Sequence, residues 1–227
     1  MTLTTSAKST LIIAPHADDE VIGCGGAAAL ATERGERVVL LVMATGGVKH
    51  HHLDQCATVS ERCVELQASC NVLGIADYRV LFPGHDMQLE RMWMLDIVTA
   101  LDAVVRSESF DEVYIPEPSH NRDHQITYDA AIAALRPCGG SSPNLIAAYE
   151  GTSLTVDLAV PRCGDLYVNI ASSLSKKCNA LRAYKSQIRE YPHPTSEEAI
   201  RRLAAMRGME SGVEHAERFR LLRMLRH

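Results

Sequence analysis

The chain has 227 residues, 46% of them apolar, which is enough to bury one sizeable core as a single domain without disulfides or repeats. A formal charge of -5 leaves no excess of Lys and Arg, so duplex binding and anionic-membrane binding are excluded as its main business and small-molecule chemistry fits better. Its seven cysteines are odd in number and contain no C-x-x-C pair, which describes neither a zinc ribbon nor a redox motif and points to a reduced, cytoplasmic setting.

Met1 to Thr10 is polar and meets only the short apolar run Leu11 to Ala14, so it reads as neither signal peptide nor anchor, and no later segment reaches membrane-spanning length. Leu11 to Ala14 is the first expected strand. Behind it stand His16-Ala17-Asp18-Asp19-Glu20 and then a helical pattern over Val21 to Arg34. A second strand spans Val38 to Met43. The tract Lys49-His50-His51-His52-Leu53-Asp54 beyond it reads as a solvated loop in preference to a lid or an accessory metal tract. Ala57 to Leu73 has helical periodicity, with Cys56, Cys63 and Cys70 recurring every seven residues on one face as small buried hydrophobes. Strand Tyr78 to Phe82 ends at Pro83-Gly84, helix Leu89 to Glu108 follows, and strand Val113 to Ile115 runs into Glu117-Pro118-Ser119-His120-Asn121-Arg122-Asp123-His124.

Further on, a helix is expected over His124 to Leu135, a loose loop at Gly139 to Pro143 and strands at Leu145 to Tyr149 and Leu166 to Ile170. Helices follow at Ser175 to Tyr184 and Ser196 to Arg207. The basic tail Arg218 to Arg226 alternates with apolar residues and reads as a docked helix, not a nucleic-acid arm. Strand and helix alternate along the chain, which predicts an α/β, Rossmann-like fold with a mostly parallel sheet and helices on both faces. In such sheets ligands bind at the carboxyl ends of the strands, here just after Ala14, Met43, Phe82 and Ile115.

Two clusters meet that requirement. An acidic N-cap explains one or two of Asp18, Asp19 and Glu20, but it does not call for His16 ahead of them, and so many ionisable groups are costly to crowd unless a cation neutralises them. The second cluster brings His120, Asp123 and His124 to the same sheet edge. Two imidazoles and a carboxylate match the three-ligand pattern of catalytic zinc, which keeps one position open for water.

These residues also carry a family resemblance. The chain resembles the zinc-dependent PIG-L/LmbE-like deacetylases, which remove acetyl groups from N-acetylglucosamine-type substrates and have an H-P-D-D-E motif after the first strand and an H-x-D-H motif later. Here the first reads His16-Ala17-Asp18-Asp19-Glu20, with Ala17 in place of Pro, a change in turn rigidity and not in ligand chemistry. Arg62-x-x-Glu65, Phe82-Pro83 with Asp86, Ser186-Gln187 and Ala216-Glu217-Arg218-Phe219 resemble weaker family features. The resemblance implies His16, Asp19 and His124 as metal ligands and Asp18 as general base. It implies Zn2+ as the cofactor, with Fe2+ or another divalent transition metal as alternatives, and an N-acetylated amino sugar or its conjugate as substrate.

One position departs from the pattern. Where the family has its first His, three residues before the last, this chain has Asn121, with His120 one residue further back. Either His120 reaches the site through a shifted turn or Asn121 takes the slot as a neutral donor to the oxyanion; the second is the reading adopted. Asp123 is expected to orient a neighbouring polar side chain. Arg62, Asp86 and His85 are candidates for holding sugar hydroxyls, with an Arg62–Asp86 ion pair as an equal alternative.

Competing readings are weaker. Gly23-x-Gly25-Gly26 lacks the G-x-G-x-x-G spacing of a dinucleotide loop and lies inside the first helix, where close packing on the sheet explains it. A phosphoesterase would use the acidic cluster for Mg2+ or a metal pair, but imidazoles favour zinc or iron. A non-catalytic sugar-binding protein on the same scaffold needs neither the ligands nor the base. A homo-oligomer stays open.

Overall fold

A computed structural model describes residues 8–46, 57–137, 142–151 and 165–226. The Lys49 to Asp54 tract, Cys56, Cys138 and Cys163 lie outside the described residues, as does most of the Gly139 to Pro143 loop.

The branched apolar runs form β1 (Ser9–Ala14), β2 (Arg37–Thr45), β3 (Asp77–Pro83), β4 (Glu112–Pro116), β5 (Leu145–Tyr149), β6 (Asp165–Asn169) and β7 (Ala216–Met224). They make one sheet in the order β3-β2-β1-β4-β5-β7-β6. The first five are parallel and β7 is antiparallel to both β5 and β6. β1 lies inside, with Ile12 paired to Leu40 on one side and Tyr114 on the other.

The helices are α1 (Asp19–Glu33), α2 (Val59–Leu73), α3 (Met94–Ser107), α4 (Arg122–Ala134), α5 (Leu174–Ala183) and α6 (Glu197–Ser211). Alternate residues of β1 enter opposite cores, as the period of a strand requires. Ile12 and Ala14 pack with Val21, Leu66 and Leu181 from α1, α2 and α5. Leu11 and Ile13 pack with Ile97, Leu101, Ile126 and Ala130 from α3 and α4. The expected two-faced, mostly parallel α/β sheet is therefore what the chain forms.

Two expected elements differ. The tail read as a helix is β7: Phe219 is fully buried, and its alternation with Arg218 and Arg220 is a period of two, which a strand sorts onto opposite faces. The Leu89 to Glu108 helix is split because the chain turns extended at Met92 and Trp93, while the Leu89 amide at the start of the segment is held by the Asp123 carboxylate at 3.1 Å. Only Leu89–Arg91 winds as a 3-10 turn before α3 begins at Met94.

The glycines of α1 act by close packing. A Cβ on Gly23 would stand 2.0 Å from the Tyr149 ring, and one on Gly26 would stand 2.7 Å from Ile170. α1 also kinks at Cys24 (φ -141°), and the amides of Gly26 and Ala27 just beyond donate to the Glu217 carboxylate at 2.8 Å each. Lys177 reaches the same carboxylate at 2.6 Å. β7 and α5 thus fix the angle at which α1 leaves the sheet edge, and with it the residues at its mouth.

Candidate metal centre

β1 ends at Ala14 and the chain turns directly into α1, which places His16 and Asp19 above the carboxyl end of the sheet's interior strand. β4 lies beside β1, and α4 after it carries Asp123 and His124 in its first turn. Ligand atoms of His16, Asp19 and His124 lie within 4.8 Å of one another. His16 Nδ1 is 3.4 Å and His124 Nε2 is 3.2 Å from Asp19 Oδ2, and the imidazole rings tilt by 46° at 5.5 Å between centroids. All three residues are buried.

The other nitrogen of His16 faces away from this group. Its Nε2 is 3.0 Å from Asp123 Oδ2 and 3.3 Å from Asp86 Oδ1. Asp123, 1% exposed, uses its second oxygen to accept the Leu89 amide. A carboxylate behind a ligating imidazole holds the ring's orientation and tautomer, leaving Nδ1 with its lone pair toward Asp19. Asp86 with Asp123 and His16 also forms a three-member group, but it shares His16 with the first. It reads as support for one centre, not a second one.

Charge makes the case for a cation. Burial opposes ionisation of Asp19, but the charges and hydrogen bonds of His124 and His16 together outweigh it and hold the carboxyl well below the usual range. Burial likewise disfavours a charged His16, yet Asp123, Asp19 and Asp86 together outweigh it and raise its pKa well above the ordinary value. Carboxylates thus outnumber cations here, and the polypeptide answers with protons where a divalent ion would serve. The donor set fits such an ion: two imidazoles and one carboxylate, buried, with the far nitrogen of His16 held by Asp123.

Asp18 stands beside the group without joining it. It is the N-cap of α1 but makes no side-chain capping bond, so its carboxylate is free for chemistry. Its backbone has φ 120°, a conformation that costs a non-glycine residue about 1–3 kcal/mol and is kept where the surroundings enforce it. Burial pushes its carboxyl pKa well up, against the pull of Arg62, whose Nη2 is 3.8 Å from Asp18 Oδ2. Arg62 is 3% exposed, donates to the Ala17 carbonyl, and is held by Glu65 at 3.1 Å, which in turn accepts from the Ser186 amide and hydroxyl at 2.7 Å each. The weak Arg62-x-x-Glu65 and Ser186-Gln187 features therefore share one network.

The remaining sequence candidates divide. Asp86 pairs with His16 and Arg62 with Glu65 and Asp18, so the alternative of an Arg62–Asp86 ion pair is not formed and each is in an ion pair with another residue. Asp123 orients His16, a residue distant in sequence, and not a neighbour in its own loop. Asn121 caps α4, its Oδ1 accepting the Asp123 amide at 2.9 Å. Asn121 Nδ2 donates one N–H to the Met87 sulfur at 3.5 Å and has a second N–H to give. His120 is exposed and among the described residues makes no hydrogen bond to the cluster; His85 is exposed, its Nδ1 3.2 Å from the Pro83 carbonyl.

Sequence reasoning missed two contributors. Glu20 accepts the Asp18 amide at 2.9 Å, and its carboxyl is pushed by burial up to about 7, against the hydrogen bonds of Tyr184 and Asp18. Tyr184, fully buried after α5, meets Glu20 Oε1 at 2.5 Å. Glu20 sat in the acidic run without an assignable role. Tyr184 carried no local signal.

Comparison with known proteins places the chain in a family. The family model described as PIG-L, GlcNAc-PI de-N-acetylase, matches residues 11–135, the stretch from β1 through α4 that contains both clusters. A diacetylchitobiose deacetylase of Thermococcus kodakarensis is 28% identical over 226 residues, 95% of this chain and 83% of that one. A probable N-acetyl-alpha-D-glucosaminyl L-malate deacetylase of Bacillus cereus is 26% identical over 79% of this chain and 84% of its own. Among solved structures, the N,N'-diacetylchitobiose deacetylase of Pyrococcus horikoshii, complexed with an inhibitor, superposes with TM-score 0.76 at 26% identity, covering 96% of this chain and 84% of that one.

Proposed function

Because this chain belongs to the PIG-L, GlcNAc-PI de-N-acetylase family, we propose that it is a metal-dependent hydrolase that removes the acetyl group from an N-acetylated amino sugar or a conjugate of one. The observation that carries this reading is the buried convergence of His16, Asp19 and His124 with the uncapped Asp18 carboxylate beside them. His16 Nδ1, Asp19 Oδ2 and His124 Nε2 would hold the metal, and the imidazole-rich donor set favours zinc, with ferrous iron next. When bound, such an ion lowers the pKa of a water from about 15.7 to about 7 and polarises the acetyl carbonyl.

The chain's own groups do the rest. Asp18 takes the proton from the attacking water; burial and the neighbouring Asp19 and Glu20 carboxylates raise its affinity for it, and Arg62 limits the rise. As the C–N bond breaks, Asp18 returns that proton to the amine nitrogen, so water adds across the amide to give acetate and a free amino sugar. Asn121 Nδ2 donates to the carbonyl oxygen as it gains charge, a contact typically worth about 3 kcal/mol. Asp123 keeps His16 oriented throughout, and Asp86, at the edge of the centre, would meet a sugar hydroxyl.

The family supports an amide hydrolase, and the substrates named for the deacetylase relatives support the amino-sugar class. Acetate release from a panel of N-acetylated amino sugars and their conjugates tests it, with Asp18→Asn as control. Turnover by the unaltered enzyme, falling by a factor of about 100 or more in Asp18→Asn, is expected. An active Asp18→Asn enzyme would remove the base from this scheme.

A further inference from the structure

The Ala17–Asp18 peptide is gripped from both ends. Its carbonyl accepts from Arg62 Nη2, and its N–H donates to Glu20 Oε2 at 2.9 Å. The two gripping side chains meet on one residue. Tyr184 donates its hydroxyl to Glu20 Oε1 at 2.5 Å, and its ring lies against the Arg62 guanidinium, 5.3 Å from centroid to Cζ. Tyr184 is 0% exposed, and its backbone is fixed at the C-cap of α5, where its amide donates to Leu181.

This arrangement answers a question left by Asp18 itself. A non-glycine residue at φ 120° relaxes unless its neighbours hold it, and Asp18 has no side-chain capping bond to do so. Turning the Ala17–Asp18 peptide toward an ordinary conformation would break both grips at once. We propose that Tyr184 is a positioning residue for the base: it orients the Glu20 carboxylate by a hydrogen bond and the Arg62 guanidinium by ring contact, and so fixes the Asp18 carboxylate beside the metal ligands. The role as base rests on the deacetylase reading; the mechanical part does not. Neither holder can be replaced by water, since Glu20 and Arg62 are 1% and 3% exposed.

The test uses Tyr184→Phe, which keeps the ring against Arg62 and removes only the hydroxyl, with Tyr149→Phe as a control. Tyr149 is likewise buried and loses a single hydroxyl bond, to the Ile13 carbonyl at 2.9 Å, without touching Glu20. Amide hydrogen exchange is read first, because it needs no substrate. In Tyr184→Phe the Asp18 amide should exchange at least about tenfold faster than in the unaltered protein, with the β1 amide of Ile12 unchanged. In Tyr149→Phe the Asp18 amide should keep its rate.

Kinetics follow, on any substrate the unaltered enzyme turns over. Tyr184→Phe should lower kcat at least about tenfold with KM within about twofold and metal content unchanged, whereas Tyr149→Phe should lower only the melting temperature. Unchanged Asp18 exchange in Tyr184→Phe overturns the positioning role outright. Faster exchange with unchanged kcat overturns its bearing on the base. An unaltered enzyme that releases no acetate would instead strike the deacetylase reading, while the exchange result still decides whether Tyr184 holds Asp18.

Discussion

Replacing Asp123 by asparagine exchanges one oxygen for an NH2 group and should cost the protein most of its metal affinity. Asp123 accepts the Leu89 amide through one oxygen and faces His16 Nε2 with the other, at 3.1 and 3.0 Å. The Leu89 N–H is a donor, so in Asp123→Asn the single remaining oxygen must stay with it, and the new NH2 group must face His16. His16 Nε2 meets that donor as an acceptor, which favours the ring proton on Nδ1, 3.4 Å from Asp19 Oδ2, over Nε2, where Asp86 at 3.3 Å is the one acceptor left among the described residues. That proton occupies the lone pair a metal requires. Loss of a carboxylate behind a ligating imidazole typically costs a factor of about 10–100 in affinity, or about 1.4–2.8 kcal/mol. Competition for zinc against a chromophoric chelator at neutral pH measures it directly. The metal-free variant should melt close to the metal-free parent, since size and the Leu89 bond are kept. A variant that binds zinc within about threefold of the parent would refute the assignment of Nδ1 as ligand atom and Asp123 as its support.

Other outcomes follow from the same geometry. Asn121→Asp keeps an oxygen for the cap of α4 but removes the Nδ2 donor, so kcat should fall about 100-fold or more with the melting temperature unchanged; equal loss of both would mean the residue only caps the helix. Gly23→Ala drives a Cβ to 2.0 Å from the buried Tyr149 ring, an overpacking of about 1–3 kcal/mol, and should lower the melting temperature by about 2–10 °C in a chain of this length. Glu217→Ala leaves Lys177 and the amides of Gly26 and Ala27 without their acceptor, and a loss of about 3–5 kcal/mol is expected in denaturant unfolding. Chelating the metal from protein that holds it at about 100 times its Kd should withdraw about 2.7 kcal/mol, read as a melting temperature lower by about 5–10 °C and restored by zinc.

What could be read from the sequence follows from how far apart the cooperating residues lie. Leu11 to Ala14 and Val113 to Ile115 announce themselves as buried strands, and a parallel sheet brings strand ends to one edge, so the two clusters could be assembled before any coordinates, while the family resemblance singled out His16, Asp19 and His124 within them. The register of β1 against β4, Ile12 beside Tyr114, is what makes those ends neighbours. The Tyr184–Glu20 bond joins residues 164 apart and follows from the docking of α5 on α1, which no local pattern encodes. The anchoring of Leu89 was hidden for a related reason: its amide is captured by a carboxylate from α4. In β7 the clue was present and misjudged. Charged residues broke up the apolar run Phe219 to Met224, and only its partners on β5 and β6 decide that it is extended.

The departure at Asn121 bears on how the site divides its labour. With His120 exposed, the ionisable groups that line the centre are Asp18 and the three residues read as ligands, with Arg62, Asp86, Asp123 and Glu20 around them. Asn121 has no proton to give at working pH, so on the proposed reading Asp18 both accepts the water's proton and delivers it to the departing nitrogen. A carboxylate that serves twice must reach two positions a few ångströms apart without losing its charge environment. The rigid hold on the Ala17–Asp18 peptide then acquires a purpose beyond stability. It leaves the Asp18 side-chain torsions as the only freedom, so that proton transfer is a swing of one carboxyl about a fixed backbone.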